Sequence, residues 1–137
     1  MKLRVVAVQA IFVGLAVLSA AALASCRGPE PVLVAEISGV DWHLESDRNA
    51  SFRIDDGQLT GTDSCNRIFG EVAITVGERT TIEFASLGAT RMACPDDSGA
   101  QENMGRALAG ERVIEQPDGG TLVLVDESAG ERWRFEK

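Results

Sequence analysis

Beyond residue 39 the chain runs in short stretches of alternating apolar and polar positions, the period-two pattern of half-buried strands. Over residues 40–46, Val40, Trp42 and Leu44 fall on one face and Asp41, His43 and Glu45 on the other. Residues 52–55 and 58–61 flank Asp56-Gly57, which suits the positive φ that a type I′ turn needs at both central positions, so they predict a hairpin. Gly61 marks a bulge or a close backbone approach. Residues 62–69 show no period and are expected to form a loop. Val72, Ile74 and Val76 alternate with Glu71, Ala73 and Thr75, and residues 80–87 follow a Gly77-Glu78-Arg79 turn with Ile82 and Phe84 inward. Val113-Ile114, an Asp118-Gly119 turn signal, residues 121–125 and residues 132–135 supply the last strands.

The period changes once, after Pro95. Ser98 and Gln101 fit a capping box, Met104, Ala107 and Leu108 share one helical face, and Gly110 stops the helix. Gly99 and Gly105 dilute it, so a short helix is expected. Residues 32–37 suit either an opening strand or the apolar end of a tether. The fold class expected is α+β, a mostly antiparallel β-sheet, curved and half-barrel-like, with one short helix packed on it.

The first residues follow a different logic. Lys2 and Arg4 precede an apolar run over residues 5–24, and Leu23-Ala24-Ser25-Cys26 follows. This resembles the lipobox of bacterial lipoproteins, in which the cysteine, here Cys26, is acylated and becomes the first mature residue. An uncleaved membrane anchor and ordinary signal cleavage are the alternatives. The organisation expected is a signal peptide over residues 1–25, a lipidated tether over 26–38 and one domain over 39–137. Acyl chains at about 0.8 kcal/mol per buried methylene hold such a protein on a membrane. The location expected is the cell envelope, and the outer membrane facing the periplasm if the cell has one, since Arg27 rather than Asp follows Cys26.

Charge narrows the partners. From Cys26 on there are eleven basic and 21 acidic residues, a net charge of −10. Such a surface repels nucleic acid, so nucleic acid is not an expected partner. With Cys26 acylated, Cys65 and Cys94 remain in an oxidising compartment and read as a disulfide. Two buried thiols, or a zinc site built from Cys65, Cys94 and His43, are the alternatives, and the zinc site lacks a close-spaced ligand pair. No cofactor is expected.

Trp42-His43-Leu44, the hairpin from Phe52 through Asp56-Gly57-Gln58-Leu59-Thr60-Gly61, Cys65-Asn66, Phe84-Ala85-Ser86-Leu87, Thr90-Arg91-Met92-Ala93-Cys94 and Leu122-Val123-Leu124 together resemble a META domain of the HslJ-like lipoproteins. The likeness covers residues 39–137. It implies a small antiparallel α+β domain, exported or membrane-anchored, linked to heat shock, antibiotic tolerance and envelope stress without an agreed biochemical activity. The fold is also similar to that of secretin pilot lipoproteins, which bind a hydrophobic segment of a partner; that is analogy of fold alone. Ser64 stands where the family often has Gly before Cys-Asn.

The chemistry on offer is sparse. No nucleophile elbow, phosphate loop or metal-binding helix motif is present. The sole histidine, His43, sits on a polar strand face, and Asp55-Asp56 and Asp96-Asp97 sit at turns, where Asp serves local hydrogen bonding. No catalytic and no metal-binding residue is assigned, and the protein is not expected to be an enzyme. Asn66, Thr90 and Arg91 flank the disulfide and form the candidate recognition patch, Arg91 offering a forked donor to a carboxylate or phosphate. As structural residues, Asn66 and Thr90 would cap loop backbone groups and Arg91 would pair with a nearby acid.

The function expected is that of a membrane-anchored, non-enzymatic envelope lipoprotein, related to envelope stress or heat shock, that binds a protein or apolar partner. It predicts an apolar groove between sheet and helix, lined by Met104, Leu108, Phe69 and Met92. The alternative is a structural or inhibitor-like domain acting on an envelope enzyme through the loops over residues 62–69 and 89–97.

Overall fold

A computed structural model describes residues 30–137. The signal peptide, Cys26 and residues 26–29 of the tether lie outside the described residues. The domain begins with α1 (Val34–Ile37) and continues through β1 (Trp42–Leu44), β2 (Asp47–Asp55), β3 (Gln58–Asp63), β4 (Arg67–Thr75) and β5 (Thr81–Ala89). The second helix, α2 (Ala100–Ala107), precedes β6 (Gly110–Asp118), β7 (Thr121–Asp126) and β8 (Glu131–Glu136).

All eight strands pair antiparallel with their neighbours in chain order, and β1 pairs with β8 to close the ring. This overturns the half-barrel α+β expectation: the fold is a closed, mostly β barrel. The closure was hidden in the sequence because β1 is only three residues long and meets β8 through His43↔Glu136 and Leu44↔Phe135, the two ends of the domain. Alternation tells which face of a strand is buried but not which strand lies beside it.

Eight strands enclose a space that side chains fill. Trp42, Phe52, Ile54, Leu59, Ile82, Leu122, Leu124 and Phe135 fill it here, all nearly inaccessible to water. Phe52 and Phe135 meet edge to face with centroids 5.0 Å apart, a preferred aromatic geometry. Trp42 donates its indole N–H to the Ile37 carbonyl at 3.0 Å, which satisfies the buried donor and ties α1 to β1.

Because every connection is a hairpin or a helix, the turns alternate between the two barrel ends. The β2–β3, β4–β5 and β6–β7 turns share one end with the incoming chain, where the Thr80 hydroxyl donates to the Val32 carbonyl at 2.6 Å. The segment over residues 32–37 is neither strand nor tether but the contact on this end, with Val32 and Ile37 buried. The opposite end carries α2, whose Ala100, Met104 and Ala107 are fully buried against the barrel.

The turns follow their residues. Asp56 and Gly57 both have positive φ, 48° and 76°, as the hairpin signal requires. Gly61 is a close approach: a Cβ there would lie 2.3 Å from the Ser51 carbonyl oxygen. The loop expected over residues 62–69 shrinks to residues 64–66, because β3 runs to Asp63 and β4 starts at Arg67. The helix start also differs. Its N-cap is Gly99, and the Asp96 carboxylate rather than a Ser98–Gln101 box accepts the Gln101 and Glu102 N–H groups. Ser98 accepts from the Ala100 N–H and donates to Asp47 at 2.7 Å.

Candidate functional site

The site grows out of a mismatch in length between β5 and β6. β5 pairs with β4 along its whole length, from Thr75↔Thr81 to Ile68↔Ala89. It pairs with β6 only from Thr81↔Val113 to Phe84↔Gly110. Where β6 would continue alongside residues 85–89, the chain has instead turned into α2. A cleft of about 420 Å³ therefore opens between the free edge of β5 and the helix.

The floor of this cleft is apolar. Ile68 and Phe84 contribute from the sheet, Met104 and Leu108 from the helix, and Leu87 from the free edge. Its walls are small residues: Ala85, Ser86, Gly88 and Ala89 on β5, and Gly105, Ala109 and Gly110 on the helix side. The register of β4 against β5 shifts at Glu71/Val72, a bulge that leaves Ala85 without its own partner in β4. Beyond it, Leu87 points to the inner face, and a Cβ on its partner Gly70 would lie 2.7 Å from Leu87 Cδ2.

One titratable side chain lines the cleft, Asp63, and the neighbouring turn already uses its oxygens. Asp63 Oδ1 accepts the Cys65 and Asn66 N–H groups at 3.0 and 2.5 Å, and Oδ2 accepts from the Asn66 amide at 3.2 Å. Asn66 is buried and links two chain segments. Its Oδ1 accepts the Met92 N–H at 2.6 Å and the Thr90 hydroxyl at 3.4 Å. Thr90 Oγ1 also accepts the Arg67 N–H at 3.0 Å. Cys65 and Cys94 are joined in a disulfide with Cα atoms 6.1 Å apart. No thiolate is left for a zinc site with His43, whose Nδ1 lies 2.8 Å from the Arg48 carbonyl oxygen.

The structure thus brings Asn66 and Thr90 together and commits both to the backbone around the disulfide. Arg91 is exposed and, among the described residues, forms no ion pair. Of the four residues expected to line a groove, Met104 and Leu108 do so. Phe69 lies on the outer face against Gly88, where a Cβ would meet its ring at 2.8 Å, and Met92 is exposed on the segment after β5. Residues 85–87 entered the sequence reading only as part of a strand and of the family resemblance, and Ala89 only through the alternative loop contact; none of residues 85–89 was expected to wall a cleft. Their signal was the run Ala85-Ser86-Leu87-Gly88-Ala89, small enough for something to lie against it.

At the helix end of the barrel, Asp47 holds its carboxyl below its ordinary value, chiefly because the Ser98 hydroxyl donates to it and also because the Asn49 N–H does. Arg112 closes the far side of α2. Its guanidinium lies over the Trp133 ring at 5.4 Å and donates to the Arg106 and Glu111 carbonyls, each at 2.7 Å.

The family model described as META domain matches residues 32–137. The chain belongs to the META domain family. The match takes in both helices and all eight strands, and the HslJ-like resemblance read from the sequence is consistent with it. A search of curated proteins found none that matches. Among solved structures, the NMR structure of a protein from Burkholderia xenovorans is similar to this META domain, with a TM-score of 0.52. It is 18% identical, over 80% of this chain and 91% of that one, so the likeness concerns the fold alone.

Proposed function

We propose that this META domain protein is a lipid-anchored module of the bacterial cell envelope, related to envelope stress, that binds a protein or other apolar partner in the cleft between β5 and α2 and catalyses no reaction. The observation that carries the reading is the cleft itself: Leu87 and the small residues of its walls are accessible above a buried apolar floor of Ile68, Phe84, Met104 and Leu108, at the edge of an otherwise closed barrel. Concave apolar sites of this size suit side chains of a partner better than they suit water. The Leu-Ala-Ser-Cys sequence at Cys26 supports the anchor, and the acidic chain keeps it off nucleic acid.

A photo-crosslinking residue at Ala109, an exposed position on the cleft wall, tests the reading in the protein's own envelope. The expected result is a discrete crosslinked partner that is absent when the same residue sits at Asp56 in the β2–β3 turn. Equal labelling from both positions overturns the proposal. Intact-mass measurement of the purified protein checks acylation of Cys26.

The exposed Arg91 favours a second reading, an inhibitor-like contact with an envelope enzyme through the disulfide-flanking segment. Arg91→Ala abolishes capture of the partner in that case and leaves it intact if the cleft is the contact.

A further inference from the structure

Resting on the cleft reading above, we infer that the occupant of the cleft is an extended segment of another protein, apolar on one face and basic on the other, that adds to β5 as a strand. The backbone is the first reason. Thr90 donates its N–H to the Arg67 carbonyl at 3.0 Å, so Thr90 faces β4. Along an antiparallel pair the direction alternates, so Gly88 also faces β4 while Leu87 and Ala89 turn their N–H and C=O groups toward the cleft. No backbone hydrogen bond joins residues 85–89 to α2 or β6 among the described residues. An unpaired strand edge is a template for another strand, and chains that must not use it guard it with charge or proline. Residues 85–89 carry neither. A strand lying here continues the sheet where β6 stops.

Side chains choose the occupant. On its inner face the added strand meets the half-buried Leu87, with the buried Met104 and Leu108 forming the floor beneath it, so alternate residues must be apolar. On the outer face, where β5 and β6 part, Glu83 stands directly opposite Glu111. Both are exposed, and neither has an ion-pair partner among the described residues. Like charges facing each other across a ladder are unfavourable. A lysine or arginine on the outer face of the incoming strand relieves the repulsion. A second copy of this chain would instead set the same glutamates against each other, on a protein whose residues from Cys26 on carry a net charge of −10.

The test uses the full chain and a short synthetic peptide alternating valine and serine with a terminal lysine. Two companions carry glutamate in place of the lysine, or N-methyl groups on alternate amides. Hydrogen exchange is read at Leu87 and Ala89. The lysine peptide is expected to slow both amides by about tenfold or more, with much weaker effects from the glutamate and N-methyl peptides. The exposed double variant Glu83→Lys/Glu111→Lys reverses the preference between lysine and glutamate peptides. Equal protection by the N-methyl peptide overturns strand addition. So does protection that rises with protein concentration without peptide, which makes the occupant a second copy. An apolar fluorescent dye, anilinonaphthalene sulfonate, separates the two levels. Dye binding blocked by Gly105→Trp, with no protection by any peptide, overturns strand addition and keeps the apolar cleft. Absence of both overturns the cleft reading as well.

Discussion

Asn66 Oδ1 accepts the backbone N–H of Met92 at 2.6 Å, so one side chain joins the β3–β4 turn to the segment that leaves β5. The same amide donates to Asp63 at 3.2 Å. Removing a buried, multiply bonded amide leaves the buried Asp63 carboxylate and the Met92 N–H without that partner. Asn66→Ala is expected to lower unfolding free energy by about 2 to 3 kcal/mol in urea titration. Thr90→Val removes the 3.0 Å bond to the Arg67 N–H and is expected to cost less, about 1 kcal/mol.

The Cys65–Cys94 disulfide lies beside the Asn66 bonds and closes a separation of 29 residues. Because Asn66 already fixes this corner in the folded protein, the bridge acts mainly on the unfolded chain. The double variant Cys65→Ser/Cys94→Ser is expected to lose about 3 to 4 kcal/mol while its folded spectrum changes only near the two sites. Equilibrium unfolding together with amide chemical shifts checks both halves of that statement.

Two glycines predict opposite signs. A Cβ on Gly61 would press into the Ser51 carbonyl oxygen at 2.3 Å and the Phe52 Cα at 3.0 Å, backbone atoms that cannot step aside. Gly61→Ala is expected to cost about 3 kcal/mol. Gly105 has nothing within 4 Å of a built Cβ and sits inside α2. Gly105→Ala is expected to raise stability by about 0.5 to 1 kcal/mol through helix propensity. Thermal melts of the two variants should move in opposite directions.

Three aspartates set the acid limb of stability. Asp47 is held below its ordinary value chiefly by the Ser98 hydroxyl, Asp118 by the Gly120 N–H, and Asp126 by the Ser128 hydroxyl. A carboxyl whose folded value is lowered binds fewer protons when folded, so its stabilisation is complete above the ordinary carboxylate range and is lost as pH falls through the folded value. Stability is therefore expected to be flat near neutrality and to fall below about pH 4. Ser98→Ala shallows that fall by freeing Asp47, which urea midpoints across the acid range would show.

The strands and their turns were legible because period two and Asp-Gly chemistry are local properties. Asp56-Gly57 specifies its turn without help from the rest of the chain. Residues 67–69 misled because Phe69, a large apolar residue, faces outward and shields the backbone at Gly88 instead of joining the core. That breaks the expected alternation and made a strand look like a loop. Barrel closure and the cleft are both facts about which distant segments meet. The cleft exists because the chain crosses the barrel end as α2 and β6 begins only at Gly110, leaving the finish of β5 unpaired on that side, and nothing in the helix's own residues states that. Met104 and Leu108 were identifiable as the helix's inner face, but not that they also line a cleft beside the free edge of β5.

The Thr80 hydroxyl fastens the incoming chain at Val32 to the start of β5, whereas the cleft opens at that strand's finish. Entrance and cleft are thus offset along β5, the cleft starting at Phe84 and ending at Ala89, roughly 13 to 30 Å from Thr80 at 3.3 Å per residue. Under the anchored, partner-binding reading proposed above, lengthening or shortening the segment ahead of Glu30 would alter how far the barrel reaches without reshaping the cleft. The same spacing lets the protein be immobilised through its first residues on a bead or sensor chip with the cleft left away from the surface.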